Sequence, residues 1–159
     1  AGFAFVEEVR QFWDGPIALG GAISSGRAIR AAETLGAELA YVGTAFIACE
    51  ESIADLAYKE MVVGASAEDI LPSKGITGVT ANWLRQSLIA AGYDPANMPE
   101  DKKPNFENTN DNSKAWKNVW SAGQGVGAVT AVEPIAQIVA RLKAEYDFAC
   151  KLPRFDMKE

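Results

Sequence analysis

The stretch Pro16–Glu51, PIALGGAISSGRAIRAAETLGAELAYVGTAFIACEE, decides the fold. Pro16-Ile17-Ala18-Leu19 is a short apolar run that stops at Gly20-Gly21, which predicts a strand and then a turn. Ser24 or Ser25 can cap a helix whose apolar positions Ala28, Ile29, Ala32 and Leu35 keep helical spacing, and Gly36 supplies the stop. Leu39-Ala40-Tyr41-Val42 is a second apolar run, ending at Gly43-Thr44. A strand, a crossover helix and another strand in so few residues predict a βαβ unit with parallel strands. Both runs are apolar on both sides, as expected of strands covered on both faces. The two glycine turns then lie at the carboxyl ends of their strands, and a right-handed crossover sets them side by side. Bare backbone N–H groups at two neighbouring helix N-termini make a place for a phosphate.

Glycine suits that chemistry because a phosphate oxygen must reach a backbone N–H with no Cβ in the way. Thr44 adds a hydroxyl donor. Glycines also end strands for turn geometry alone, but two such turns on successive parallel strands favour phosphate. The pattern is neither a Walker A loop nor the dinucleotide fingerprint. GGAISSG lacks the G-x-G start, and no strand-end acid follows at the usual distance.

Upstream, Phe5, Val6, Val9, Phe12 and Trp13 predict an amphipathic helix ended by Asp14-Gly15-Pro16. Its wide apolar face needs more sheet than the strand after Pro16 provides. Downstream, Ile53, Leu56, Ala57 and Met61 predict a helix from Ser52 to about Gly64. Asp69–Thr80 reads as extended, and Asn82 is placed to cap a helix through Leu84, Leu88 and Ile89 to Gly92. Asp94–Asn118, rich in Asn, Asp, Lys and Pro, reads as a long solvated loop, with Trp116 and Trp120 on one face of a short helix. Ser121–Gly127 is a third glycine-rich element. Pro134 then opens a last helix with the stripe Ile135, Ile138, Val139, Leu142 and Tyr146. The end, Lys151–Glu159, is charged and expected to be loose.

Composition narrows the classes. The 159 residues suffice for a real core, and a net charge of −6 argues against a nucleic-acid partner. No apolar run is long enough to span a bilayer, no signal peptide is evident, and two cysteines are too few for a disulfide framework. A cytoplasmic, reduced protein is expected. The chain has no histidine, which removes the usual general base and the commonest metal ligand. No metal site is expected, and no residue is assigned to catalysis.

Other candidates take plainer readings. Gln124 can hydrogen-bond a ligand, but its spacing alone suits a turn residue. Arg27 and Arg30 read as solvated charges, and Cys49 as a small core residue. Glu50 and Glu51 are adjacent and share no helix face, so neither receives an acid–base role. Tyr41 and Tyr58 read as core aromatics, and Trp83, Trp116 and Trp120 as packing residues.

Three blocks carry a family resemblance: GGAISSGRAIRAAETLGAELAYVGTAFIACEES, ITGVTANWLRQSLIAAG and WSAGQGVGAV. Together they resemble the carboxyl-terminal half of nitronate monooxygenases, formerly 2-nitropropane dioxygenases, over Phe5–Tyr146. The resemblance implies an α/β chain forming the last two strands and helices of a (β/α)₈ TIM barrel, with an inserted α+β lid. It implies an FMN-dependent enzyme that oxidises alkyl nitronates with molecular oxygen. Gly20, Gly21 and Ala22 would match the phosphate-binding turn after the seventh strand, and Gly43 and Thr44 the turn after the eighth. Gln124 would lie near the flavin. Residues 1–64 would supply the barrel units, 65–118 the lid, and 119–159 the return to the barrel.

A whole barrel takes roughly 250 residues, so this chain would supply only its end. The family's catalytic histidine would stand just before Ala1, and Ala1-Gly2 resembles the pair directly after that histidine. Ala1 opens almost directly into a helical pattern, as expected where an upstream part has been cut away or left out. Alone, the chain is expected to be inactive and to need the amino-terminal half of the barrel, as a second chain or an omitted segment. Two alternatives stand beside this reading: an FMN-dependent enoyl-thioester reductase of a related barrel family, and a non-catalytic phosphate-ligand-binding or interaction module.

Overall fold

A parallel strand pair organises the chain in this computed structural model, which describes residues 2–99 and 119–152. Strands β1 (Ala18–Gly20) and β2 (Leu39–Tyr41) pair with Ala18 opposite Leu39 and Gly20 opposite Tyr41. Helix α2 (Gly26–Thr34) crosses between them. Ser25 caps it from extended backbone, its hydroxyl accepting the Ala28 N–H at 3.2 Å. Gly36 ends the turn after α2 at φ 100°, a conformation that glycine adopts without a Cβ penalty. The expected βαβ unit is therefore present, with three-residue strands.

One face of the pair is covered. Leu19 and Ala40 pack with Ile23, Ala32 and Ala37 in a small core beneath α2. On the other face Leu39 is 62% and Tyr41 73% exposed. This corrects two expectations, strands covered on both sides and Tyr41 as a core aromatic. Side chains alternate along a strand, and no element of the described residues lies over Ala18, Gly20, Leu39 and Tyr41.

Helix α1 (Gly2–Arg10) buries Val6 alone, and Phe5, Phe12 and Trp13 are exposed. The helix stops before Phe12, so the predicted apolar face is shorter than its spacing suggested. Arg10 docks α1 onto the βαβ unit. Its guanidinium donates to the carbonyls of Gly15 and Gly36, each at 2.6 Å, and to the Glu38 carboxylate. Glu38 also accepts the Ile17 N–H at 2.7 Å. That N–H and the Arg10 charge hold its carboxyl below the usual range.

The larger core gathers α3 (Thr44–Ile47), α4 (Leu56–Val63) and α6 (Ile135–Lys151) around Ala48, Cys49, Val62, Val126, Ile138 and Leu142. Cys49 is a buried core residue, as expected. Helix α4 begins four residues after Ser52, and Ile53 is fully exposed. Tyr58 stacks on Trp120 with centroids 5.1 Å apart and donates its hydroxyl proton to the Ser121 carbonyl. In α6, Ile138 and Leu142 are buried while Ile135 and Val139 are exposed, so two of the five expected stripe residues face outward.

A second sheet pairs β3 (Ile70–Ser73) antiparallel with β4 (Ala81–Leu84), ahead of α5 (Arg85–Ala90). Asn82 sits inside β4, which corrects its reading as a helix cap. Besides β3, the strand has partners remote in sequence. Trp83 bridges to Ser121, and the Leu84 N–H donates to the Trp120 carbonyl at 2.9 Å. Most of the expected Asp94–Asn118 loop, with Trp116, and most of the Lys151–Glu159 end lie outside the described residues.

Candidate functional site

Beyond β1 the chain turns through Gly21 at φ 104° and Ala22 at φ 56°. Ala22 is the only non-glycine residue at positive φ among those described. A Cβ placed on Gly21 would meet no heavy atom of the described residues within 4 Å, so among them this backbone is open on one side. Among the described residues, the N–H groups of Ala22, Ile23 and Ser24 have no hydrogen-bond acceptor. The same holds for Gly43, Thr44 and Ala45 at the start of α3, where a helix leaves its first donors unpaired.

The third glycine-rich element joins the two turns. The Gly123 N–H donates to Thr44 Oγ1 at 2.9 Å. A Cβ on Gly125 would stand 2.8 Å from the Ala22 carbonyl oxygen and 2.9 Å from Ser24 Oγ, so only glycine lets this segment approach so closely. Residues Gln124–Ala128 form a 3₁₀ turn at that point. Spacing alone gave no sign of the convergence, because the segments are about 80 to 100 residues apart.

A cleft of about 420 Å³ opens over the first turn, lined in part by Gly20, Gly21, Ala22, Phe3, Asn82 and Gln124. Three of the five predicted residues therefore share one cleft. Gly43 lies on a neighbouring concavity with Tyr41 and Phe46, and Thr44 reaches the cleft only through Gly123. Gln124 joins the cleft, and so does Asn82, which sequence reasoning had assigned to a helix cap. Arg27 and Arg30 line a different hollow. Arg27 lies over the Phe148 ring at 5.7 Å, and Arg30 pairs with Glu33 at 2.6 Å.

The N-terminus of α2 corrects the expectation in one respect. Its first amide, Gly26 N–H, donates to Glu145 Oε2 at 2.7 Å, and the Ala28 N–H is taken by Ser25. Of the first three amides of the helix only Arg27 N–H has no acceptor among the described residues, so most of the open donors belong to the turn ahead of it. Among the described residues no side chain lining the cleft titrates, so what they form can hold and orient an anion but offers no proton-transfer group. Among the described residues no group of His, Cys, Asp and Glu is placed to hold a metal ion. No helix among them is long and apolar enough to cross a membrane.

The family profile described as nitronate monooxygenase matches residues 2–145. A nitronate monooxygenase of Pseudomonas aeruginosa is 31% identical over 142 residues, which is 82% of this chain and 39% of the relative. Another, of Paraburkholderia phytofirmans, is 38% identical over 80 residues, covering 50% of this chain and 22% of the relative. Among solved structures, nitroalkane oxidase from Streptomyces ansochromogenes superposes with a TM-score of 0.73 at 25% identity, over 94% of this chain and 44% of that one. FabK from Thermotoga maritima gives 0.71 at 24% identity, over 95% and 50%, a likeness of fold alone. The chain thus spans at most about two fifths of the length of these curated relatives. Because the profile runs through nearly all the described elements, this chain belongs to the nitronate monooxygenase family.

Proposed function

We propose that this chain is the part of an FMN-dependent, nitronate monooxygenase-like enzyme that holds the flavin's phosphate. The observation that carries the reading is the set of amides at Ala22–Ser24 and Gly43–Ala45 with no acceptor among the described residues, just beyond two strands that are hydrogen-bonded neighbours. Gly20, Gly21 and Ala22 would receive one side of the phosphate, and Gly43 with the Thr44 hydroxyl the other. Thr44 suits this role because accepting from Gly123 leaves its own O–H to donate.

The residues fit the group. The donors are uncharged backbone amides at the ends of two paired strands, and among the described residues no atom lies within 4 Å of where a Gly21 Cβ would stand. A cleft of about 420 Å³ is within the range of small-molecule sites. FMN, when bound, supplies the redox chemistry by which a nitronate is oxidised with molecular oxygen. The chain's own residues bind and orient: the glycine turns hold the phosphate, Gln124 borders the cofactor, and residues 65–118 act as a lid.

Among the described residues the cleft has no titrating side chain and one face of the β1–β2 pair is uncovered. In this reading the amino-terminal half of the barrel supplies both the catalytic base and that cover, and residues 1–64 and 119–159 are the barrel's end. Flavin fluorescence during titration of the purified chain tests the binding step. FMN is expected to bind at least about tenfold more tightly than riboflavin, since charge-assisted hydrogen bonds to the phosphate are the difference. Equal affinities would overturn the phosphate assignment. Nitronate-dependent oxygen uptake by the chain alone would overturn its dependence on the other half.

A further inference from the structure

We infer that Glu145, a residue outside the cleft, is the positioning residue that keeps the Ala22–Ser24 amides turned toward the ligand phosphate. This rests on the reading above and adds a residue to it. Glu145 stands on α6, 119 positions from the amide it binds. Its Oε2 accepts the Gly26 N–H at 2.7 Å, and its Oε1 faces Arg141 Nη1 at 3.4 Å. Arg141 in turn reaches Glu133 at 3.4 Å. The approach is tight, because a Cβ on Gly26 would stand 2.2 Å from the Leu142 carbonyl oxygen and from the Tyr146 nitrogen. The helix end is thereby pressed against the α6 backbone and held by a charge-assisted hydrogen bond.

The turn is affected in two ways. First, Ala22 sits at φ 56°, which costs an L-residue energy and persists only where the surroundings over-determine it. The Glu145 clamp fixes the turn from its carboxyl side, and Gly125 abuts it at Ala22 and Ser24. Second, a carboxylate on the first amide of α2 occupies the position an anion would otherwise take and repels one there. The ligand's phosphate is thus directed to the amides ahead of the helix. Glu145 needs no contact with the ligand to do either.

The test uses Glu145→Ala and Glu145→Gln, each titrated with FMN and with riboflavin. Backbone order parameters of Ala22–Ser24 are measured by NMR without ligand. Glu145→Ala is expected to weaken FMN binding about tenfold and riboflavin binding less than about twofold, with lower order parameters in the turn. Glu145→Gln keeps an acceptor for the Gly26 N–H and is expected to stay within about threefold of the parent for FMN, with the turn as ordered as in the parent. Equal loss of both flavins in Glu145→Ala, or unchanged order parameters in the turn, would overturn the inference. If the parent chain binds FMN no better than riboflavin, the phosphate reading fails. The order parameters then decide the positioning role by themselves.

Discussion

The Gly123 amide donates to the Thr44 hydroxyl oxygen across 2.9 Å, tying the third glycine-rich segment to the end of the second parallel strand. Thr44→Val keeps the side-chain shape and leaves that N–H without its acceptor. A loss of about 1–3 kcal/mol is expected, read as a lower urea midpoint with an unchanged slope. Thr44→Ser restores the oxygen and should recover most of the loss.

Gly26 admits no side chain. In Gly26→Ala the new methyl would meet backbone atoms of Leu142 and Tyr146, which cannot rotate away as a side-chain tip can. The expected cost is on the order of 3 kcal/mol, because α2 and α6 must separate. Thermal unfolding followed by circular dichroism checks it.

Ala22 behaves in the opposite way. Ala22→Gly removes an L-residue from the left-handed region, which costs roughly 1–2 kcal/mol, and adds back about 0.5–1 kcal/mol of chain entropy. The variant is therefore expected to match or slightly exceed the parent in urea. Ala31→Gly inside α2 should instead lose about 1 kcal/mol.

Glu38 sets an acid limb. The Ile17 N–H, with help from Arg10, lowers its carboxyl in the folded chain relative to the unfolded one. The stabilisation is therefore complete above the unfolded carboxyl value of about 4.3 and fades as pH falls through the folded one. In Glu38→Gln the unfolding midpoint should depend less steeply on pH between roughly 3 and 5.

Tyr146 sets an alkaline limb. Its hydroxyl donates to Glu33 at 2.8 Å, and that carboxylate, with Cys150 nearby, pushes the phenol up to about 12. A raised folded value favours the protonated form. The contribution is thus whole below the ordinary tyrosine value of about 10 and is lost on the way to the folded one. Tyrosinate absorbance should show a late-titrating component that disappears in Tyr146→Phe.

Much of this was legible from local chemistry. Ser25 as a cap, Gly36 as a stop and the two apolar runs are signals contained within a few residues, and each took its expected place. Asn82 was misread because β4 has no alternation of its own and forms by pairing along its length with β3, and at Trp83 and Leu84 with residues 36 to 38 positions away. Tyr41 was misread because an apolar run does not say which of its faces finds a neighbour. The cleft was half legible. Gly20, Gly21 and Ala22 announce themselves as a turn, whereas Gly125 and Glu145 act through contacts more than 100 positions away in sequence.

The bare side of the β1–β2 pair sets how this polypeptide behaves at high concentration. Leu39 and Tyr41 project from a two-stranded ribbon with hydrogen-bonding edges, the kind of surface on which other chains add strands. A net charge of −6 slows such encounters without covering the template. Colloidal stability then depends on how much of this ribbon stays bare. Tyr41→Lys should keep the protein in solution longer.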